Sequence, residues 1–168
     1  MTGTRIRTAM VLAAGRGSRL APLTDHTPKP LLEIGAHSLL EYALLKLETA
    51  GFDTIVVNVS WLAEQIRAAL ERRQWRAGYH LSEEREGRLE TGGGICQALP
   101  WLGQQAFAVV NADVYSDFDF ARLAAPIQAW PAGQLAHLVL VPNPEHHPQG
   151  DFGLNQGKLT DQPAYTFA

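Results

Sequence analysis

Four short runs in this chain, TAMVL (Thr8–Leu12), TIVVNV (Thr54–Val59), AFAVV (Ala106–Val110) and LAHLVLV (Leu135–Val141), are apolar or small almost without a break. A strand with one wet face alternates polar and apolar residues. One that is apolar at successive positions must be covered on both faces, as in a parallel sheet layered between helices. Between the runs the period changes to that of helices. Ser38 and Glu41 form a capping-box signature, Leu40, Leu44 and Leu47 follow at i, i+4, i+7, and Gly51 supplies a stop. Ser60 is placed to cap a second helix with Leu62, Ile66 and Leu70 on its inner face. Ile95, Ala98, Leu99 and Leu102 give a shorter third helix; Phe120, Leu123, Ala124 and Ile127 give a fourth, bent or ended by Pro126. The alternation predicts an α/β fold, a three-layer α/β/α sandwich on a mostly parallel central sheet.

At 168 residues and 46% hydrophobic content, the chain is long enough for one domain, 1–168, with a sizeable core. A net charge of −3 excludes the broad basic field that nucleic-acid binding needs, so a polyanionic ligand must be met by a few local charges. The single cysteine, Cys96, rules out an internal disulfide framework and fits a reducing compartment; it reads as a small buried residue. TAMVLAAG is too short to span a bilayer and lacks the apolar length of a secretory signal. The expectation is a soluble cytoplasmic protein with neither nucleic acid nor membrane as partner.

In such sheets, ligands bind beyond the carboxyl ends of the strands. The first strand is followed by LAAGRGSRLAPLTDHTPKP (Leu12–Pro30). Gly15 and Gly17 let backbone N–H groups approach an anion closely; Arg16, Arg19 and Lys29 can add charge, with Pro28 and Pro30 stiffening the chain around Lys29. It is not a P-loop, because Ser18 and Arg19 follow Gly17 where Lys and Ser/Thr are needed, and it is not a dinucleotide fingerprint, because position 20 is Leu. A bare Gly-x-Gly is as well read as an ordinary turn with solvated charges; with PLT and PKP attached, the stretch reads as a triphosphate cradle.

Asp113 directly follows AFAVV and Asn-Ala. It is either a turn-capping Asp or a hard oxygen ligand suited to Mg²⁺. LETGGGI (Leu89–Ile95) reads as a turn that lays flat backbone against a base or ribose, with Thr91 as hydroxyl donor, or as a flexible lead-in to a helix. Of Glu83 and Glu84 before it, at least one is expected to be a solvated surface acid. In NPEHHPQGDF (Asn143–Phe152), adjacent His146 and His147 do not converge on one metal as an i, i+4 pair can, which argues against zinc. Trp61, Trp75, Trp101 and Trp130 read as packing or partner contacts rather than base-stacking platforms.

The long stretch LAAGRGSRLAPLTDHTPKPLLEI resembles the signature of the sugar-1-phosphate nucleotidyltransferases, enzymes that make nucleotide-diphosphate sugars. LETGGGI and VNADVY fall in that family's order, and the resemblance runs from about Met10 to the C-terminus. It implies a Rossmann-like nucleotidyltransferase that takes a nucleoside triphosphate and a sugar 1-phosphate and releases pyrophosphate. It also implies Mg²⁺ on Asp113 and catalytic roles for Arg19, Lys29 and Asp113. Ala13, Ala14, Gly15, Gly17, Glu90, Thr91 and Gly92 would then lie against the nucleotide, and Asn111, Asn143, Gly150 and Asp151 against the sugar. Within the family, LETGGGI, LAHLVLVPNPEHHPQGDF and YTF are most similar to the N-acetylmuramate-1-phosphate uridylyltransferases of bacterial cell-wall recycling. Mannose-1-phosphate guanylyltransferases share the first signature and match NPEHHPQGDF less well. UTP in place of GTP or CTP thus follows from the resemblance and not from the residues themselves.

The chain also departs from that pattern. The family's second metal-binding aspartate, in an Asp-Val-Gly-Thr-like motif, has no counterpart after Tyr115, and Asp161-Gln162-Pro163 stands where many relatives have Glu-Lys-Pro. The expectation is a single domain lacking the family's C-terminal segment, with weak or no turnover by itself. It would be a shortened form of a longer enzyme, a nucleotide-binding product without turnover, or a site completed by another chain.

Overall fold

The computed structural model describes residues 5–85, 89–124, 133–145 and 147–167. The chain divides into two compact units, Met1–Gln128 and Ala129–Ala168. In the first, β1 (Thr8–Leu12) leads through a one-turn helix α1 (Leu23–His26) and a short hairpin, β2 (Glu33–Ile34) and β3 (His37–Ser38), to α2 (Leu39–Ala50). Then come β4 (Thr54–Val59), α3 (Ala63–Glu71), β5 (Gly78–Glu83), α4 (Glu90–Leu102), β6 (Ala108–Asn111) and α5 (Ala121–Ala124).

The central sheet runs β5-β4-β1-β6 with every pairing parallel; Val11 of β1 stands opposite Val57 on one side and Val110 on the other. Successive side chains of a strand point to opposite faces, and both faces are covered. Val11, Ile55 and Val57 join Leu40, Leu44 and Leu47 of α2 and Ile66 and Leu70 of α3 in one buried cluster. Met10 and Val56 pack with Ala98 and Leu102 of α4 in another. These are the three expected layers, and each fully buried Leu or Ile contributes about 1.5–3 kcal/mol of transfer free energy.

The capping box forms as expected: the Glu41 N–H donates to Ser38 Oγ at 3.2 Å, and the Ser38 N–H donates to Glu41 Oε2 at 3.0 Å. Gly51 closes α2 at φ 90. Elsewhere the structure corrects the sequence reading. Ser60 caps nothing; α3 starts after Leu62, which takes a left-handed φ of 52, and the Ser60 hydroxyl is directed at the Glu84 carbonyl 3.5 Å away. The strand expected over Ala106–Val110 lies at Ala108–Asn111. Helix α4 begins at Glu90, so the three glycines of LETGGGI are helical rather than a flat turn. Cys96 is exposed, because α4 buries the i, i+4, i+8 stripe Gly94, Ala98, Leu102 and Cys96 lies two residues off it. Of the fourth helix only the turn Ala121–Ala124 forms among the described residues; Pro126 and Ile127 lie outside them, as does Trp130.

LAHLVLV does not join the parallel sheet. Only its end enters a strand, β7 (Leu140–Pro142), and Leu135 is 98% exposed. In the second unit β7, β8 (Phe152–Asn155) and β9 (Lys158–Phe167) form an antiparallel sheet in the order β7-β9-β8. Gln156 and Gly157, both at positive φ, make the two-residue turn between β8 and β9, the geometry that matches the twist of paired strands.

Candidate functional site

Counted in chain order, the four parallel strands stand 3-2-1-4, so the winding reverses at β1. In doubly wound sheets the ligand crevice opens at that reversal, outside the carboxyl ends of the strands. There the first unit has a cavity of about 150 Å³. Pockets that enclose a drug-sized ligand run to ~300–1,000 Å³, so this one takes part of a nucleotide and leaves the rest to the open cleft.

Its wall contains Ala13, Ala14, Gly15, Gly17 and Lys29 from the loop after β1. It also contains Glu90 and Thr91 from the start of α4, and Asn111 and Asp113 from the end of β6. Of the anticipated residues of the first unit, Arg19 and Gly92 are not part of the wall. Arg19 lies exposed in the 3-10 turn Ser18–Leu20 beside it. Arg16 is otherwise engaged: its guanidinium stacks 4.5 Å over the Trp61 ring, whose Nε1–H donates to the Thr24 carbonyl at 3.1 Å. Trp61 thus braces the loop.

Gly17 has a reason to be glycine. It sits at φ 68, and a Cβ there would stand 3.0 Å from Lys29 Cβ and 3.2 Å from Thr24 Cγ2. Its carbonyl accepts from the Thr24 hydroxyl and the Leu20 N–H, both at 2.9 Å, which folds the loop back onto the second 3-10 turn, Lys29–Leu31. Gly15 differs: a Cβ there meets nothing within 4 Å, so the protein itself does not demand glycine and the space before it belongs to the cavity. Lys29, between buried Pro28 and Pro30, donates from Nζ to Asp113 Oδ2 at 2.8 Å and joins the loop after β1 to the end of β6.

The opposite wall carries two residues that the sequence reading missed, Asn58 and Glu84. Asn58 is 3% exposed and Glu84 4%. The Ala13 N–H donates to Asn58 Oδ1 at 2.8 Å, Asn58 Nδ2–H donates to Glu84 Oε1 at 2.8 Å, and the Leu89 N–H donates to Glu84 Oε2 at 3.0 Å. Of the two acids before LETGGGI, Glu84 is buried, while Glu83 is half-buried and pairs with Arg67 and Arg85. The available signal was Asn58 itself, a polar residue in a strand otherwise apolar on both faces, which must find partners inside. Gly94 of α4 follows from this network, since a Cβ there would lie 2.7 Å from Glu84 Oε1 and 2.9 Å from Asn58 Nδ2. Glu90, the first residue of α4, holds a left-handed φ of 57, strain of the kind that gathers at binding sites.

The cavity is therefore polarised. Glu84 follows β5 and Asp113 follows β6; those strands are three spacings apart, about 14 Å. Glycine backbone and Lys29 favour phosphate at one end, and the carboxylates Glu84 and Glu90 disfavour it at the other. As to a metal, no group of three or more His, Cys, Asp or Glu side chains among the described residues could hold one. Asp113 fits an ion of the Mg²⁺ type, which takes one or two carboxylates and completes its shell with substrate phosphates and water.

Asn143, Gly150 and Asp151 belong to the second unit, where other residues of that unit hold them. Asn143 Nδ2–H donates to the Pro148 carbonyl at 3.1 Å and Asn143 Oδ1 accepts from the Thr166 hydroxyl at 3.0 Å. The Asp151 N–H donates to the Tyr165 carbonyl at 2.7 Å, and its carboxylate lies 3.2 Å from His147 Nε2. Gly150, at φ 69, leaves room for the Asn143 amide.

A family model described as nucleotidyl transferase matches residues 8–157. An N-acetylmuramate alpha-1-phosphate uridylyltransferase of Neisseria meningitidis serogroup B is 50% identical over 147 residues, which are 87% of this chain and 64% of that protein. Its counterpart from Caulobacter vibrioides is 40% identical over 126 residues, 73% of this chain and 52% of that protein. The chain thus spans less than two thirds of the length of either relative. The crystal structure of HddC from Yersinia pseudotuberculosis complexed with GMP-PN matches with a TM-score of 0.61 at 28% identity, over 70% of this chain and 52% of that one.

Proposed function

The chain belongs to the nucleotidyl transferase family, and on that premise we propose that it transfers the nucleotidyl group of UTP to a sugar 1-phosphate, N-acetylmuramate 1-phosphate foremost, in cell-wall recycling. The observation that carries this reading is the Lys29–Asp113 pair, held at 2.8 Å across the crevice beside a glycine-opened loop. The choice of uridine and of N-acetylmuramate rests on the identity to two enzymes so described.

An oxygen of the sugar phosphate attacks the α-phosphorus of UTP in line; the new O–P bond forms as the bond to the β-phosphate oxygen breaks, and pyrophosphate leaves with that electron pair. A phosphate monoester has its second pKa near 6, so no strong base is required and rate comes from placement and charge neutralisation. Ala14, Gly15 and Gly17 would offer backbone N–H groups to the phosphates, and Arg19 would hold the departing β and γ groups. Lys29 would turn from Asp113 to the α-phosphate or the attacking phosphate. Asp113 would hold Mg²⁺, which when bound supplies further charge neutralisation. A cytoplasmic site of action fits the substrate UTP and the unpaired Cys96; among the described residues no helix is long and apolar enough to cross a membrane.

Pyrophosphate release across five nucleoside triphosphates and several sugar 1-phosphates, with Mg²⁺, tests the reading. The largest yield is expected with UTP and N-acetylmuramate 1-phosphate. UTP binding without product from any pair would reduce the protein to a nucleotide-binding module, and no response to UTP at all would remove the reading.

A further inference from the structure

The hydrogen bonds from Ala13 to Asn58, from Asn58 to Glu84, and from Leu89 to the same carboxylate fix which atom faces which. A backbone N–H can only donate, so the amide oxygen of Asn58 must face Ala13. The Asn58 NH₂ then faces Glu84, which must accept. The Leu89 N–H, at the mouth of α4, makes the same demand on the second oxygen. An ionised carboxylate accepts at both oxygens and an amide at only one. Glutamine at position 84 would set donor against donor, at Leu89 or at Asn58 according to which way its amide turns, and flipping Asn58 would only pass the second conflict to Ala13. The chemistry of residue 84 is thereby transmitted to the first residue after β1, where the phosphate-facing loop begins, although 71 positions separate the two in sequence. The fit is close on every side: Gly94 of α4 has no room for a methyl group against this pair.

We propose that Glu84 and Asn58 are positioning residues that lock the loop after β1 to the start of α4, so that the phosphates and the nucleoside of one nucleotide are received at a fixed spacing. The proposal rests on the nucleotide-binding reading above, and adds to it a role for two residues that need touch no reacting atom. The pair works by joining two half-sites. Loosening it therefore weakens a ligand that bridges both halves more than one that touches a single half.

The test compares the unsubstituted chain, Glu84→Gln, and the double variant Asn58→Asp/Glu84→Gln. The double variant restores complementarity with the same net charge. Its carboxylate, now at position 58, accepts from the Ala13 N–H and from the new amide at position 84, and the oxygen of that amide accepts from the Leu89 N–H. In the ligand-free protein, hydrogen exchange at the Ala13 and Leu89 amides is read by NMR. At one of them it should quicken in Glu84→Gln by about tenfold or more, the size expected for one unsatisfied buried donor, and slow again in the double variant. In the presence of Mg²⁺, UTP affinity should fall by about tenfold in Glu84→Gln and recover to within about threefold in the double variant. Affinity for inorganic tripolyphosphate should change much less. Unchanged exchange and UTP affinity in Glu84→Gln, an equal loss for both ligands, or a double variant no better than the single one would overturn the proposal. If Glu84→Gln does not fold, the double variant decides: native-like exchange and UTP binding support the pair, and their loss overturns it. An unsubstituted chain that ignores UTP would sink the nucleotide reading alone, because the exchange at Ala13 and Leu89 still tests the lock.

Discussion

On the β6 side of the crevice, Lys29 and Asp113 meet through one 2.8 Å ion pair between part-exposed side chains, whereas on the β5 side Asn58 and Glu84 are buried and tied to Ala13 and Leu89. A part-exposed pair contributes on the order of 1 kcal/mol or less, screened further by salt. It can be surrendered when phosphates arrive. A buried acceptor that loses a partner is left unsatisfied at ~1–3 kcal/mol, so the second arrangement holds its shape while the first exchanges partners. The groups suited to handling charge are thus built loosely, and the groups that set distance are built tightly.

The sharpest way to break that contrast is to remove the charge on the loose side. Lys29→Met should lower pyrophosphate release by about 10²–10³, as loss of one charge-stabilising donor does elsewhere. A folded variant turning over at the unsubstituted rate would place Lys29 outside the chemistry. Next in size, Asp113→Asn should weaken the Mg²⁺ dependence of UTP binding by roughly 10–100-fold, while UTP binding without metal should not weaken. Calorimetric titration with and without Mg²⁺ reads both.

The two loop glycines sharpen the comparison further. Gly17→Ala puts a Cβ on a left-handed residue and against Lys29, and should cost about 1–2 kcal/mol in urea unfolding. Gly15→Ala has open space around it and should stay within about 0.5 kcal/mol, yet it should weaken UTP binding because its methyl group enters the cavity. A destabilised Gly15→Ala protein with unchanged UTP affinity would reverse their assigned roles. Lys29→Met measured as stability should also change little, by less than about 1 kcal/mol, because the ion pair is part-exposed.

The legible parts of the molecule were those in which sequence neighbours decide the outcome. TAMVL and TIVVNV announce burial on both faces, and Ser38 with Glu41 closes its own cap three residues away. What escaped depends on residues far apart. Strand β5 is a sheet edge whose half-buried Tyr79 and Leu81 alternate with exposed Gly78 and His80, so it shows no continuous apolar run. Gly92, Gly93 and Gly94 read as a loop because their propensity is poor for a helix. The reason for Gly94 is the Glu84–Asn58 contact, which other parts of the chain supply. Nothing in the sequence tells Glu84 from Glu83; Asn58, 26 positions earlier, bonds Glu84 alone. Within the candidate site, Lys29 and Asp113 were recognisable from the motif, while the tie from Ala13 to Leu89 was not.

A crystal structure with a non-hydrolysable UTP analogue and Mn²⁺ addresses the assignment of the crevice most directly. The expected result is a metal on the Asp113 carboxylate bridging phosphate oxygens, Lys29 Nζ moved from Asp113 to a phosphate, and the loop from Ala13 to Gly17 wrapped on the phosphate chain. Phosphates bound away from that loop, with Lys29 still paired to Asp113, would contradict it.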